Sequence, residues 1–66
     1  MEGNFKVELY KRYANEDLLV EKFSMATNVF SEVVEVIALT RFTIYGKPID
    51  YEYVAEENLV KFIFCS

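Results

Sequence analysis

The chain lacks the disulfide bonds and structural metal sites that usually stabilise a very short protein. It has 66 residues, one cysteine (Cys65) and no histidine, so neither an internal disulfide nor a structural zinc site is expected. A chain this short buries only about 60% of the surface that it exposes when unfolded. We therefore predict a single domain, residues 1–66, stabilised by a dense core or by a second copy of the chain.

The composition favours an exposed apolar surface. Hydrophobic residues make up 53% of the chain and aromatic residues 17%. So small an interior cannot bury all of these side chains, and large exposed apolar patches are typical of interfaces. We predict a homo-oligomer, most simply a two-fold homodimer.

The charge distribution indicates which partners the chain suits. The net charge is −4, and all four acids of the last third lie between Asp50 and Glu57. Phosphate contacts demand basic surface, so we expect no direct binding to DNA or RNA, and a basic protein surface becomes the natural partner. The alternative is that the acids only confer solubility.

Targeting signals are not apparent in the sequence. The start, "MEGNFKVELYKRY", has neither the basic region nor the apolar run of a signal peptide, and no apolar segment is long enough to span a membrane. A lone cysteine suits a reducing compartment. We expect a cytoplasmic protein without membrane contact, in the host cytoplasm if the protein is viral.

The first half of the chain predicts a hairpin followed by a helix. "FKVELYKR" alternates as a half-buried strand, "ANED" is typical of a turn, and "LLVEKFSM" follows as a second strand. In "TNVFSEVVEVIALT", residues 27–40, the apolar residues recur at helical spacing, and Thr27 or Asn28 can act as the N-cap. Branched valines and isoleucine would favour a strand there, but burial of one face outweighs propensity. We predict a helix.

The second half predicts two or three further strands. "RFTIY" is interpreted as a strand, "GKP" as a break, "IDYEYV" as an alternating strand, "AEEN" as a turn and "LVKFIFC" as the last strand. The predicted fold is α+β, an antiparallel β-sheet of four to five strands with one helix packed on one face. Its other face should carry Tyr10 and, depending on register, Tyr45 or Tyr51 and Tyr53.

The residues available for catalysis are few. The commonest general base is absent, Cys65 has no histidine to activate it, and two glycines cannot form a phosphate-binding loop. Carboxylates can cleave glycosidic bonds or bind Ca²⁺ or Mg²⁺, but so short a chain cannot enclose them in a cleft. We predict no enzyme activity, no cofactor and no metal.

The stretch "IDYEYVAEEN" combines acidic and aromatic residues without a base. If it is a strand, Asp50 and Glu52 share a face about 7 Å apart, near the spacing of phosphates along one nucleic-acid strand. Tyrosines supply rigid contact area, as interface hot spots do. We predict that this stretch binds a partner and imitates a nucleic-acid backbone, through Asp50, Tyr51, Glu52, Tyr53, Glu56 and Glu57. The alternative is cross-strand packing beside a solvated edge.

The first two thirds of the chain have the order strand, acidic turn, strand and short helix with a phenylalanine. The segments that give this order are "FKVELYKR", "NED", "LLVEKF" and "NVFSEVVEV". In this order the chain resembles the short phage-encoded uracil-DNA glycosylase inhibitors, over roughly residues 5 to 45. The resemblance implies an acidic homodimer that occupies the DNA groove of the enzyme and captures its protruding leucine between two helices. Phe30 and Val34 would then line the pocket, and Glu16 and Asp17 would belong to the acidic loop. The chain departs from the family in its glycine-free turn, in a valine where an aromatic is expected, and in some twenty extra C-terminal residues.

Three functions follow from these features. We predict a phage or mobile-element inhibitor that blocks the basic groove of a host nucleic-acid-acting enzyme by DNA mimicry, with uracil-DNA glycosylase as the most specific target. Anti-CRISPR proteins share its size and charge. The alternatives are a self-associating structural protein and an antitoxin-like neutraliser of a basic protein.

Overall fold

The computed structural model describes residues 4–65, which form a four-stranded sheet with helices on one face. The elements in chain order are β1 (Phe5–Tyr13), β2 (Glu16–Met25), α1 (Phe30–Thr40), α2 (Phe42–Tyr45), β3 (Pro48–Val54), a 3₁₀ turn (Ala55–Glu57) and β4 (Leu59–Cys65). The predicted α+β class, with one long helix packed on a sheet, is confirmed.

The sheet is mixed rather than wholly antiparallel. Its strand order is β2-β1-β4-β3, and both outer pairs are antiparallel. The central pair is parallel, with Lys6 opposite Leu59 and Arg12 opposite Cys65. A parallel pair needs a long crossover, and the whole chain from β2 to β3 supplies it. The two strands with the most buried alternate residues, β1 and β4, thus occupy the centre.

The hydrophobic core lies between the two central strands and α1. Helix α1 contributes Val33 and Ile37, which are fully buried one turn apart. They pack on buried side chains of β1 and β4, namely Phe5, Val7, Leu9, Val60, Phe62 and Phe64. The helical stripe predicted from the sequence therefore covers the centre of the sheet.

The segment predicted as the strand "RFTIY" is helical instead. Gly46 N–H donates to the carbonyl of Phe42 and Tyr45 N–H to that of Arg41, which closes the short helix α2. Phe42 and Tyr45 both contact the ring of Phe64, at centroid distances of 6.3 and 5.1 Å. In a strand these two residues would point to opposite faces, so burial against Phe64 favours the helical turn.

Two local predictions also need correction. The β1–β2 turn comprises only Ala14 and Asn15, and Tyr13 already pairs with Glu16, so Glu16 and Asp17 begin β2 rather than forming a loop. The N-cap of α1 is Val29, which has no capping side chain. Thr27 instead links the residues at the start of the helix, since its hydroxyl accepts a hydrogen bond from Val29 N–H and donates one to the carboxylate of Glu32.

Candidate protein-binding groove

A groove lies between α1 and the edge strand β3 because the helix covers the central strands and not the edge. We call it the α1–β3 groove. It is lined by Phe30 and Val34 of α1, Phe42 of α2, Pro48, Ile49, Asp50, Tyr51 and Tyr53 of β3, and Phe62 of β4. Tyr51 keeps 59% of its surface exposed and Tyr53 keeps 49%. Exposed tyrosines beside buried aromatic rings are the composition of an interface hot spot.

Packing against buried rings holds the exposed aromatic side chains in place. Phe30 and Tyr53 both stack on buried Phe5, at 6.2 and 5.9 Å between centroids, and on each other at 5.9 Å. The hydroxyl of Tyr53 donates to the side-chain oxygen of Asn58 at 3.1 Å. Tyr51 lies over Phe62 at 6.3 Å. The groove is therefore formed before a partner arrives, which lowers the entropy lost on binding.

The strand alternation predicted for "IDYEYV" separates the tyrosines from the acids. Tyr51 and Tyr53 pair with Phe62 and Val60, which lie under the helix, so both tyrosines face the groove. Asp50 and Glu52 alternate with them, opposite Ile63 and Lys61, and face the opposite, helix-free side of the sheet. We call that side the open face. Asp50 also borders the groove, because it lies next to the irregularity of the ladder at Ile49. The prediction that places Tyr51 and Tyr53 on the open face is wrong. Tyr10 does lie on the open face, because it alternates with the core residues of β1.

The two segments that flank the groove carry acidic residues and no base. Helix α1 carries Glu32 and Glu35, and the segment from β3 through the 3₁₀ turn carries Asp50, Glu52, Glu56 and Glu57. All seven lysines and arginines lie outside these two segments. One of them, Lys61, sits directly opposite Glu52 on the open face. Six of the eleven acids therefore lie on the two segments that flank the groove, which we call its acidic walls, although Asp50 and Glu52 face the open side.

Glu16 and Asp17 do not join this site. They lie at the start of β2, the opposite edge of the sheet, about 14 Å away at the usual strand spacing. Arg12 donates two hydrogen bonds to Asp17, at 2.7 and 2.9 Å, and this arginine holds the pKa of Asp17 below its ordinary value. Of the predicted partner-binding residues, the structure brings together Phe30, Val34, Asp50, Tyr51 and Tyr53 at the groove. Glu52, Glu56 and Glu57 lie close to them in the chain. Glu16 and Asp17 lie apart, at the opposite edge of the sheet.

Phe42 and Ile49 line the groove but were not predicted as binding residues. Phe42 was not predicted because its segment was interpreted as a strand. The alternation of β3 could have identified Ile49, since it places Ile49 on the same side as the tyrosines. Arg41 donates two hydrogen bonds to Glu21 of β2, at 2.8 and 2.7 Å, and thereby lowers the pKa of that carboxyl. This pair links the end of α1 to the edge opposite the groove.

On the open face, Tyr10 donates a hydrogen bond to Glu8 at 2.6 Å. This bond, together with burial, raises the pKa of Tyr10 to about 12. The ammonium of Lys61 lies 5.8 Å from the Tyr10 ring. Opposite charges alternate across all four strands here in the register Lys22, Glu8, Lys61, Glu52, so the charges of these four residues offset one another.

Residues 4–65 also bear on metal and membrane binding. No trio of acidic or cysteine side chains there is arranged to hold a metal ion. None of the helices in that range has the length and apolar character to cross a membrane. The chain matches no protein-family model, no curated protein and no solved structure.

Proposed function

We propose that this protein is a small inhibitor that binds the basic groove of a nucleic-acid-acting enzyme through the α1–β3 groove and its acidic walls. The observation that carries the proposal is the segregation of charge around an exposed aromatic groove. Six acids and no base lie on α1 and on the segment from β3 through the 3₁₀ turn. A field of one sign attracts a partner of the opposite sign, and nucleic-acid enzymes carry such a basic surface.

The aromatic groove supplies buried contact area, which charge complementarity alone does not provide. Charge complementarity raises the rate of encounter, while burial of rigid aromatic side chains slows dissociation. Phe30, with 38% of its surface exposed, stands at one end of the groove beside Tyr51 and Tyr53. A protruding apolar side chain of the enzyme would fit there, as the resemblance to uracil-DNA glycosylase inhibitors implies for Phe30 and Val34.

The test compares charge reversals on the groove walls with one at the far edge. Glu35 lies on one wall and Glu56 on the other, and both are exposed, as is Glu16 on β2. Immobilised wild type, Glu35→Lys, Glu56→Lys and Glu16→Lys would capture proteins from bacterial lysate at low salt, followed by a salt gradient. The captured enzyme, and uracil-DNA glycosylase in any case, would then be assayed for inhibition.

We expect one nucleic-acid-acting enzyme to bind wild type and Glu16→Lys and to be inhibited by both. Glu35→Lys and Glu56→Lys should each weaken this binding by about tenfold at low salt, which corresponds to about 1.4 kcal/mol. Equal binding by all four proteins, or capture without inhibition, would contradict the proposal. Capture of a small basic toxin instead would favour the antitoxin-like function.

A second candidate is self-association, and a different part of the surface favours it. Leu39 keeps 73% of its surface exposed and Ile44 keeps 68%, and neither lines the groove. Apolar side chains this exposed are typical of surfaces covered by another copy of the chain. The two functions are compatible, because the groove and these residues are different parts of the molecule.

A further inference from the structure

We propose that the outer edge of β3 binds an extended segment of the partner as a fifth strand, and that this segment alternates basic and apolar residues. This inference rests on the proposed function, since it specifies the partner chemistry at the same site. Within residues 4–65, no strand pairs with the outer edge of β3. An unpaired edge is a template for another strand, and peptides are often recognised in this way.

The backbone ladder of β3 is regular over most of its length, and the N–H of Tyr51 donates to the carboxylate of Asp50 at 2.8 Å, a hydrogen bond that an incoming strand would replace. Its ladder with β4 is regular from Asp50 to Val54, and the irregularity lies before Asp50, at Ile49. At the opposite edge, the ladder of β2 is interrupted at Val20 in the middle of the strand. Such bulges bend a strand and blunt it against pairing. The regular edge is thus the one beside the groove.

The two sides of β3 specify what an incoming strand must carry. Side chains of neighbouring strands that lie opposite one another share a face of the sheet. Residues of the partner on the groove side would meet Tyr51 and Tyr53 and should be apolar. Residues on the open-face side would meet Asp50 and Glu52 and should be lysine or arginine. Only a strand that straddles the edge can contact both sets, because β3 presents them on opposite faces.

Two-fold antiparallel pairing with a second copy of this chain places acids opposite acids in the three registers centred on Asp50, Tyr51 and Glu52. In the register centred on Tyr51, Asp50 of each copy faces Glu52 of the other. In the registers centred on Glu52 or on Asp50, identical carboxylates face each other. Like charges directly opposite are destabilising, so the acids that select a basic partner also oppose self-pairing at this edge.

The test uses the peptide Ac-Lys-Leu-Lys-Leu-Lys-Leu-Lys-NH₂ and two methylated forms of it. One form is methylated on the backbone nitrogens of the lysines and the other on those of the leucines. Alternate N–H groups of a strand point to opposite edges, so one set of methyl groups blocks pairing with β3 and the other set faces solvent. We expect one methylated peptide to bind like the parent and the other to bind at least about tenfold more weakly. Amide hydrogens of β3 should gain protection from exchange when the parent peptide binds.

Side-chain preference is tested by exchanging the charges. The peptide Ac-Glu-Leu-Glu-Leu-Glu-Leu-Glu-NH₂ should bind wild type at least about tenfold more weakly than the lysine peptide, and the variant Asp50→Lys/Glu52→Lys should reverse the preference. The amide spectrum of the variant shows whether it is folded. A variant that does not fold leaves the methylation comparison, which uses only wild type, as the deciding test.

Equal binding of both methylated peptides, or no binding of the lysine peptide, would overturn the inference. Protection of β3 amides in the protein alone that rises with its concentration would also overturn it, because a second copy would then occupy the edge. Peptide pairing without inhibition of any enzyme would leave this inference standing and refute the proposed function. Enzyme inhibition with no effect of methylation would do the reverse.

Discussion

At the scale of single residues, Ala14 holds a backbone conformation that favours other residue types. It is one of two residues in the tight β1–β2 turn and has φ of 55°. In this left-handed region the Cβ of an alanine crowds its own backbone at a cost of about 1–2 kcal/mol. Glycine has no such cost, although it loses more freedom when the chain folds.

We therefore expect Ala14→Gly to raise the free energy of unfolding by about 0.5–1 kcal/mol, as measured by urea denaturation. Ala55→Gly is the matched control, because Ala55 is exposed and its φ is not positive. That control should lower stability. A decrease for Ala14→Gly as large as that of the control would show that the turn does not hold this conformation.

The pair of Glu21 and Arg41 makes stability depend on pH. Arg41, and to a smaller extent Tyr45, lowers the pKa of Glu21 in the folded chain. A carboxyl with a lowered folded pKa stabilises the fold above its unfolded pKa, ordinarily near 4.5, and this contribution is lost as the pH falls through the folded value. The fold should therefore weaken in acid.

We expect Glu21→Gln to lower stability at pH near neutrality and to flatten the decline of stability below about pH 4.5. The measurement is thermal unfolding of wild type, Glu21→Gln, Arg41→Gln and the double variant across acidic pH. Once Arg41 is replaced, replacing Glu21 should have little further effect. Independent effects of the two substitutions would contradict the pairing.

At the scale of elements, α1 begins without a capping side chain of its own. Its N-cap, Val29, is extended and 43% exposed, and its side chain cannot accept a hydrogen bond. Aspartate at an N-cap accepts from the free N–H groups of the first turn and interacts favourably with the helix dipole. Valine and alanine are both poor caps.

Val29→Asp should accordingly raise the free energy of unfolding by about 1 kcal/mol, measured by urea denaturation. Val29→Ala serves as the control and should change stability by less than about 0.5 kcal/mol. A loss of stability in Val29→Asp alone would mean that the apolar packing of Val29 matters more than capping.

The elements also show what can be predicted from sequence and what cannot. The apolar spacing of α1 and the alternation of β1 and "IDYEYV" depend on neighbouring residues alone, so both were predicted. The helical turn α2 depends on Phe64, far along the chain, and a strand was predicted instead. The position of the tyrosines on the helix side depends on which strands occupy the centre, which the local pattern of residues does not encode.

At the scale of the whole molecule, much apolar surface stays exposed. Leu39 and Ile44 are the most exposed, and the predicted homodimer would cover such residues. We expect a dimer in sedimentation velocity at low micromolar concentration. Leu39→Lys should shift it toward monomer, whereas Ser24→Lys, at an exposed polar position on β2, should not. A monomer of wild type at these concentrations would contradict the dimer prediction.

The groove and the acidic walls also belong to this scale. The sequence showed acids and tyrosines together in "IDYEYVAEEN", whereas Phe30 and Val34 were predicted to bind a partner only through a family resemblance that does not extend to that stretch. The fold places α1 beside β3 and thereby unites Phe30, Val34, Tyr51 and Tyr53. It also separates them from Glu16 and Asp17, because β2 and β3 are opposite edges.

The parallel pairing of β1 with β4 has a consequence for the kinetics of folding. Each hairpin, β1–β2 and β3–β4, is local in sequence and can close within microseconds. Lys6, by contrast, meets Leu59 only after nearly the entire chain has been looped back. Contacts so distant in sequence slow folding, because the entropy of closing the loop is lost before the contact forms. The slow step should therefore be the pairing of β1 with β4 along the centre of the sheet, and α1 can dock only once this pair has formed.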